Sequence, residues 1–512
     1  RDRYNTYSGN GGPSIGGIWN KLMYAIKYRS TDILFSDRVT DDSQILFVRD
    51  PQERVQRVAP YLTLDSKIYP AVVDTDNNPD TPKRLVWIVD GYTTSNNYPY
   101  SARESLQEAT VDALTGQVQP ASQVNYIRNS VKAVVDAYDG SVTLYQWDTE
   151  DPVVNAWDKI FPGMLTPVSE MSGDLMAHVR YPEDLFKVQR QLLARYHVTD
   201  PASFYTTGDF WNIPTDPGST TTTNAQGAIV TGQGTNAVAQ PPYYLTLQMP
   251  GQDTTEFSLS TSFIPGGQTN RNIMTGFLAV DSNAGNEAGK IREGYGKFRL
   301  LELPRDLTVP GPGQAQNNFL ADENVSRQLN LLNQGGTQVK LGNLLTLPVG
   351  GGMLYVQPVY VQASSGTSYP LMQYVLTAFG DSNAIGFAPT LQESLDKTFG
   401  GDSGAQAGDA AIENRKSDDV PAAAQGAGQT QPSAEPTTEP TAQESPVAPA
   451  PAAGGDGSAQ DRLNGALADM QSAVNEAETA MRNGDWAAYG AAQTKLRQAL
   501  DAAVAADKEL HP

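Results

Sequence analysis

The chain has 512 residues, with 57 acidic against 36 basic side chains and no cysteine, for a formal charge of −21. Its 39% hydrophobic, 8% aromatic and 18% charged residues suffice for cores of more than one domain's size. The charge opposes nucleic acid and anionic lipid surfaces as partners, since both call for clustered Lys and Arg, and the missing cysteines exclude disulfides, thiolate nucleophiles and iron–sulfur ligation together.

The chain starts Arg1-Asp2-Arg3-Tyr4, without Met, a basic n-region or an apolar h-region, and holds no apolar run of about 18 residues. A start inside polar sequence is expected of a piece of something longer. A helix is expected at about 16–28. Asp50-Pro51-Gln52-Glu53 then supplies an N-cap, a proline at the first helical position and an acid at the third, opening a helix that carries Val55 and Val58. Strands are expected at 67–74 and 84–90, a further helix at about 124–138, and a strand at 142–147. Pro182, Glu183 and Asp184 open another helix, with Leu185, Phe186, Leu192, Leu193 and Tyr196 on one side and Arg190 and Arg195 toward its C-terminal end.

Residues 208–242, rich in Thr, Gly, Asn and Gln, read as a loop or linker. Strands follow at 244–249, 257–264, 296–303, 338–347, 353–362 and 371–379. In 257–263, Phe257, Leu259, Thr261 and Phe263 alternate with Ser258, Ser260 and Ser262, which predicts a sheet with one wet face. No helices of a dozen residues separate these strands, so antiparallel pairing is expected.

Residues 401–457 contain no aromatic side chain and only Ile412, Val420 and Val447 as β-branched aliphatics. Such a stretch cannot offset its ordering entropy, and it reads as a disordered acidic Pro/Ala linker. Residues 401–512 carry 17 acidic and seven basic side chains. Beyond the linker, Leu463, Leu467, Met470, Val474 and Met481 form one apolar stripe, Asn483-Gly484-Asp485 breaks the helix, and Trp486 and Tyr489 begin a second. The expected class is α+β, mixing helices with mainly antiparallel sheets. The expected units are 1–207, 243–400 and a helical hairpin at 458–512.

Chemistry-bearing patterns are sparse. The three histidines, His178, His197 and His511, lack metal-ligand spacing. The cluster His178, Arg180, Tyr181, Glu183 and Asp184 is the densest set of polar groups beside a helix start. There the acids would complement the helix dipole, Arg180 would pair with one of them, and a small molecule or partner could bind. Asp74, Asp76, Asn78 and Asp80 place oxygens at alternate positions, as a calcium site would, although a hairpin turn uses the same residues. Gly401-Asp402-Ser403-Gly404 imitates a serine-protease sequence but opens the linker, where no triad could be held. No cofactor motif is present.

The stretches Trp87-Ile88-Val89-Asp90-Gly91-Tyr92-Thr93-Thr94-Ser95, Tyr126-Ile127-Arg128-Asn129-Ser130-Val131-Lys132 and His178-Val179-Arg180-Tyr181-Pro182-Glu183-Asp184-Leu185-Phe186 resemble Uncharacterised Protein Family 0182, as does Gly484-Asp485-Trp486. The resemblance implies an extracytoplasmic domain of a transporter-like polytopic membrane protein, tethered at the cell membrane through an N-terminal transmembrane region outside this chain. It would bind or gate access of an envelope substrate or protein, with the tail, through Trp486 and Tyr489, as a docking module. An envelope hydrolase using paired carboxylates and a pure assembly scaffold are the alternatives. The family supplies no site residues.

Overall fold

The computed structural model describes residues 7–405 except 8, 10, 37, 41, 79, 115–117, 220, 224–228, 232–237, 268–271, 305, 307, 334–335, 364–368 and 381–383. Beyond them it describes ten separate residues between Gly465 and Ala502. Residues 1–420 form one unit and residues 421–512 a second.

Helix starts in the first unit follow local chemistry. After α1 (Ile18–Tyr28), three Asp-Pro pairs each open a helix, because the carboxylate accepts a first-turn N–H while proline fills a position that needs no donor. Asp50 caps α2 (Pro51–Val58) by accepting from Glu53 N at 2.9 Å. A short helix, α3 (Leu106–Thr110), is capped by Ser105. Asp151 caps α4 (Pro152–Ile160) by accepting from Val153 N and Val154 N, and Asp200 caps the turn Pro201–Thr206 in the same way. The longest helix before the third sheet is α5 (Glu183–Tyr196).

The first sheet comprises β1 (Thr63–Leu64), β2 (Tyr69–Val73), β3 (Arg84–Ser95), β4 (Tyr126–Asp136), β5 (Val142–Gln146) and β6 (Leu165–Pro167). Its order is β1-β3-β4-β5-β6, with β2 on the same edge of β3 as β1, and only β5–β6 is parallel. The helix expected at 124–138 is therefore the strand β4. Val131, Ala133, Val134 and Val135 are all buried, so the strand is covered on both faces and shows no alternation, which leaves a short apolar run undecided between strand and helix. One face packs Val89, Val131, Ala133 and Leu144 against Val55 of α2 and Val154 of α4. The other packs Val73, Val86, Ile88 and Tyr145 against Met171, Leu175 and Met176.

The second sheet has β7 (Trp211–Asn212), β8 (Tyr243–Leu247), β9 (Glu256–Pro265), β10 (Gly276–Asp281) and β11 (Phe298–Glu302), antiparallel in the order β8-β9-β10-β11 with β7 also on β9. The expected wet face does not exist. Ser258, Ser260 and Ser262 are only 3–4% exposed. Leu259, Phe263, Leu278 and Val280 face a cluster with Phe186 of α5 and Tyr92 of β3, while Leu247, Phe277 and Ala279 belong to a separate cluster with the third sheet. Serine fits there because its hydroxyl can return to the backbone, as Ser260 Oγ does to Tyr243 O at 3.3 Å. The elements on either side of 208–242 thus share one core.

After α6 (Pro312–Ala321) and α7 (Glu323–Leu332), the third sheet holds β12 (Thr337–Leu341), β13 (Leu345–Val349), β14 (Gly352–Ala363), β15 (Leu371–Phe379) and β16 (Ile385–Ala388), and α8 (Leu391–Phe399) closes it. The single strand expected at 338–347 is two, β12 and β13, both on one edge of β14. Gly342 makes the break. A Cβ there would lie 2.7 Å from Pro358 Cγ, and its N–H donates to Pro358 O at 2.8 Å. Phe319, Val325 and Leu329 join Tyr355, Val359 and Leu376 in this core.

In the second unit the ten described residues are helical. Lys495 Nζ meets Glu476 Oε2 at 2.7 Å across 19 residues of sequence. One straight helix would separate these residues by about 28 Å, whereas two antiparallel helices bring them together. Residues 406–457 of the expected linker, and Trp486 and Tyr489, lie outside the described residues.

Phe263 is fully buried in the core shared by α5, β3 and the second sheet. Phe263→Ala should cost about 3–5 kcal/mol in urea unfolding. A loss under about 1 kcal/mol would show that this core is not well packed.

Candidate functional site

Two neighbouring cavities run along one side of α5. The first, of about 550 Å³, is walled by Tyr98, Tyr100, Leu106, Tyr126, Val188, Leu192 and Tyr196; the second, of about 440 Å³, by Arg128, Asn129, Trp147, Asp148, Tyr181 and Tyr295. Ile127, Leu185 and Gln189 line both, so the two make a continuous groove. Leu185, Val188, Gln189, Leu192 and Tyr196 recur at steps of three, one, three and four, which is a single helical stripe.

Tyrosines dominate the first cavity. Tyr98 stacks on Tyr126 with ring centroids 5.9 Å apart. Tyr126 Oη donates to Asp151 Oδ1 at 2.5 Å, and burial followed by this acid pushes its pKa up to about 12. Burial alone would raise the pKa of Asp151, but hydrogen bonds from Ser130, Thr93 and Tyr126 outweigh it and hold the carboxyl below its usual range. Tyr100 differs from the others. Its ring is fully exposed, and its backbone sits at φ +58°, a left-handed conformation that bulky residues rarely adopt.

Behind the second cavity lies a buried charged centre. Lys132 pairs across strands with Asp90, its register partner, and neither is more than 2% exposed. The ammonium also donates to Arg180 O at 3.0 Å and Tyr295 Oη at 3.3 Å, and lies 5.1 Å from the Trp147 ring. Burial lowers its pKa against the pull of Asp90. Beside it, the Asp65 carboxylate accepts from Tyr92 Oη, Asp184 N and Lys67 N. Burial first, then the carboxylates of Asp184 and Asp90, raise the Asp65 pKa well above the ordinary range.

The structure gathers most of the sequence-predicted cluster around the start of α5, with different partners from those expected. Arg180 does not pair with Glu183 or Asp184; its guanidinium lies 4.5 Å from the Tyr69 ring and 5.5 Å from that of Tyr244. The acids instead meet Lys187, whose Nζ is 2.9 Å from Glu183 and 3.6 Å from Asp184. Lys187 is one turn along the same helix, whereas the aromatic rings take up the planar guanidinium. Asp184 also accepts from Ser66 N at 2.8 Å and Gln119 Nε2 at 2.7 Å. Burial raises the Glu183 pKa despite Lys187. Tyr181 donates to Gln189 Oε1 at 2.7 Å and walls the groove, while His178 is exposed with Nδ1 at 2.7 Å from Asp174 O. His197 stacks on Trp211.

At the Asp-rich loop, oxygens that could face a cation serve the backbone. Asp74, Asp76 and Asn78 accept in turn from the N–H groups of Asp76, Asn78 and Asp80 at 3.0–3.1 Å. Among the described residues no group of three or more His, Asp or Glu side chains is arranged to hold a metal ion. Ser403 Oγ donates to Asp396 Oδ1 at 2.7 Å just beyond α8.

The chain belongs to the family described as Uncharacterised protein family (UPF0182), whose model matches residues 1–332. It is 53% identical to a UPF0182 protein of Paenarthrobacter aurescens over 99% of this chain and 46% of that one. It is 53% identical to one of Bifidobacterium longum, over 98% and 44%, and 51% identical to one of Leifsonia xyli, over 98% and 49%. The chain spans about half the length of these curated relatives. No solved structure matches. The family description assigns no activity, and among the described residues no helix is long and apolar enough to cross a membrane. The expectation of a transporter-like polytopic membrane protein's domain that binds or gates an envelope substrate does not stand, since neither finding supports it.

Lys132→Met should lower stability by about 3–5 kcal/mol, because it strands the Asp90 charge in the interior, and Lys132→Met combined with Asp90→Leu should recover most of that loss. Chemical denaturation of the three proteins checks this, and a double variant as unstable as the single one would contradict it.

Asp65 carries the pH prediction. Since its folded pKa is raised, its contribution is fully present below the ordinary value of 3.8 and is lost as pH rises through the folded pKa. The stability difference between Asp65→Asn and the parent should therefore shift in favour of the variant as pH rises above 3.8. A difference that stays flat as pH rises would mean that the carboxyl is held ionised.

Proposed function

We propose that the chain is a binding protein for a glycan, held along the groove beside α5. The observation that carries this reading is Tyr100, fully exposed at the groove mouth in a left-handed backbone conformation. Backbone strain is retained where the surrounding structure fixes it, and such positions cluster at ligand sites. Around it the groove sets aromatic faces beside amides, hydroxyls and charged groups: Ser101, Asn125, Gln189, Asn129, Arg128 and Glu150. Sugar rings carry the complementary chemistry, an apolar face edged by hydroxyls that both donate and accept.

A wholly apolar ligand would strip water from these partly exposed groups without replacing it, at about 1–3 kcal/mol for each hydrogen-bonding atom left without a partner. The aromatic contacts remain for a ligand that brings its own flat surfaces.

Titration calorimetry with linear oligosaccharides of increasing length, and with a proline-rich peptide in parallel, tests the reading. Oligosaccharide affinity should rise with chain length until the groove is filled. Tyr100→Ala should weaken it about tenfold, the equivalent of one stacking contact of about 1.4 kcal/mol. Undiminished affinity in the variant, or binding of the peptide alone, would overturn it.

A further inference from the structure

Helix α5 borders a second, smaller cavity on the side away from the groove. It measures about 200 Å³ and takes Lys187, Arg190, Gln191, Ala194 and Arg195 from the helix. At 100° per residue this stripe is centred about 150° from the one that lines the groove. Val111, Trp211, Ile213 and Ala239 give the cavity apolar walls, and Glu108 stands exposed at its rim.

Two of its cations are matched within the protein and one is not. Lys187 Nζ lies 2.7 Å from Asp112, 2.9 Å from Glu183 and 3.6 Å from Asp184, and Arg195 Nη1 lies 3.2 Å from Glu104. Arg190 is 2% exposed, and burial lowers its pKa only to about 10, so it keeps its charge at neutral pH. Its Nη1 donates to Gln240 O at 3.0 Å and to Thr261 Oγ1 at 3.3 Å. Among the described residues its Nε and Nη2 have no acceptor, and no carboxylate reaches the guanidinium within ion-pair distance. Neither nitrogen is fully enclosed, so both open on the cavity. Glu108 at the rim has no cation partner among the described residues either.

A buried guanidinium with free donors calls for an oxygen acceptor, and a carboxylate matches its planar fork. A bare anion does not suit the surroundings. With Glu108 and the acids on Lys187 and Arg195 counted, five carboxylates stand around three cations. The ligand must therefore bring its own positive charge, and Glu108 is placed to receive it. The cavity's size admits one small metabolite, and its apolar walls suit a hydrocarbon side chain.

We infer that this cavity binds a free amino acid with an apolar side chain, its carboxylate on Arg190, its ammonium toward Glu108 and its side chain against Trp211 and Ile213. This does not depend on the glycan reading, because the cavity and the groove share no residue of α5.

Titration calorimetry of the 512-residue chain with L-leucine, with isocaproate, which lacks the amine, and with isoamylamine, which lacks the carboxylate, tests it. Leucine should bind, and each analogue should bind about tenfold or more weakly. Glu108→Gln should weaken leucine about threefold or more and leave the melting temperature unchanged, since the side chain is exposed. Arg190→Lys, which keeps the charge but loses the planar fork, should weaken leucine about tenfold or more. The analogue comparison uses the parent alone, so it decides the matter even where Arg190→Lys lowers the melting temperature. No heat from leucine, isocaproate binding as tightly as leucine, or undiminished affinity in Glu108→Gln overturns the inference.

Discussion

One buried ammonium group joins the parts of this fold that make the groove. Lys132 reaches Asp90 on the neighbouring strand, Arg180 O on the segment entering α5, and Tyr295 on the loop before the second sheet's last strand. An ion pair sealed from water returns little net stability, because the loss of hydration offsets most of the attraction. What it does fix is position. An apolar side chain of similar volume would be indifferent to where a carbonyl and a phenol oxygen lie, whereas an ammonium left without them costs several kcal/mol. Trp147, Tyr181 and Tyr295, which wall the second cavity, are neighbours or direct partners of this group.

The second sheet is the other constraint. With both faces covered it must present small or apolar groups throughout, and its serines meet that demand by being short. Larger side chains at Ser258, Ser260 and Ser262 would push the third sheet away from Phe277 and Ala279. Arg190 shows the same economy from α5: fully buried, it donates to Gln240 O at 3.0 Å and Thr261 Oγ1 at 3.3 Å, and burial lowers its pKa to about 10. A charge so placed holds the helix at one rotation against the sheet.

Local signals in the sequence were reliable where the chemistry was local. The Asp50-Pro51 cap marks α2, and the run Pro182-Glu183-Asp184 marks α5 within a residue. The same Asp-Pro signal at Asp151-Pro152 announces α4, which the sequence reading passed over. Non-local features were hidden. Nothing in Val131-Lys132-Ala133-Val134-Val135 says that both faces of that strand are covered, and the serine alternation of β9 imitates a wet surface. The charged cluster at 178–184 was legible as a place, but its partners were not. Lys132, Asp65 and Asp90 are far from it in sequence and come together only through strand register and the approach of α5. The groove's tyrosines come from four separate segments, so no spacing rule could assemble them.

Helix α5 explains why the groove lies where it does. Its first six residues are all buried, charged ones included, which pins that end among the two sheets and the Asp65 centre. Toward the other end the burial becomes one-sided: Ala194 remains in the core, while Leu192 is partly covered and Tyr196 is exposed. Leu185, Phe186, Leu192, Leu193 and Tyr196 were read as one apolar side, and the structure divides them. Phe186 and Leu193 belong to the core, whereas Leu192 and Tyr196 line the groove, and Leu185 serves both. A helix that only filled a core would need the first stripe alone. The second lies open beside the exposed Tyr100, on a fold already held in place by its buried charges, and is the stripe on which the proposed ligand would rest.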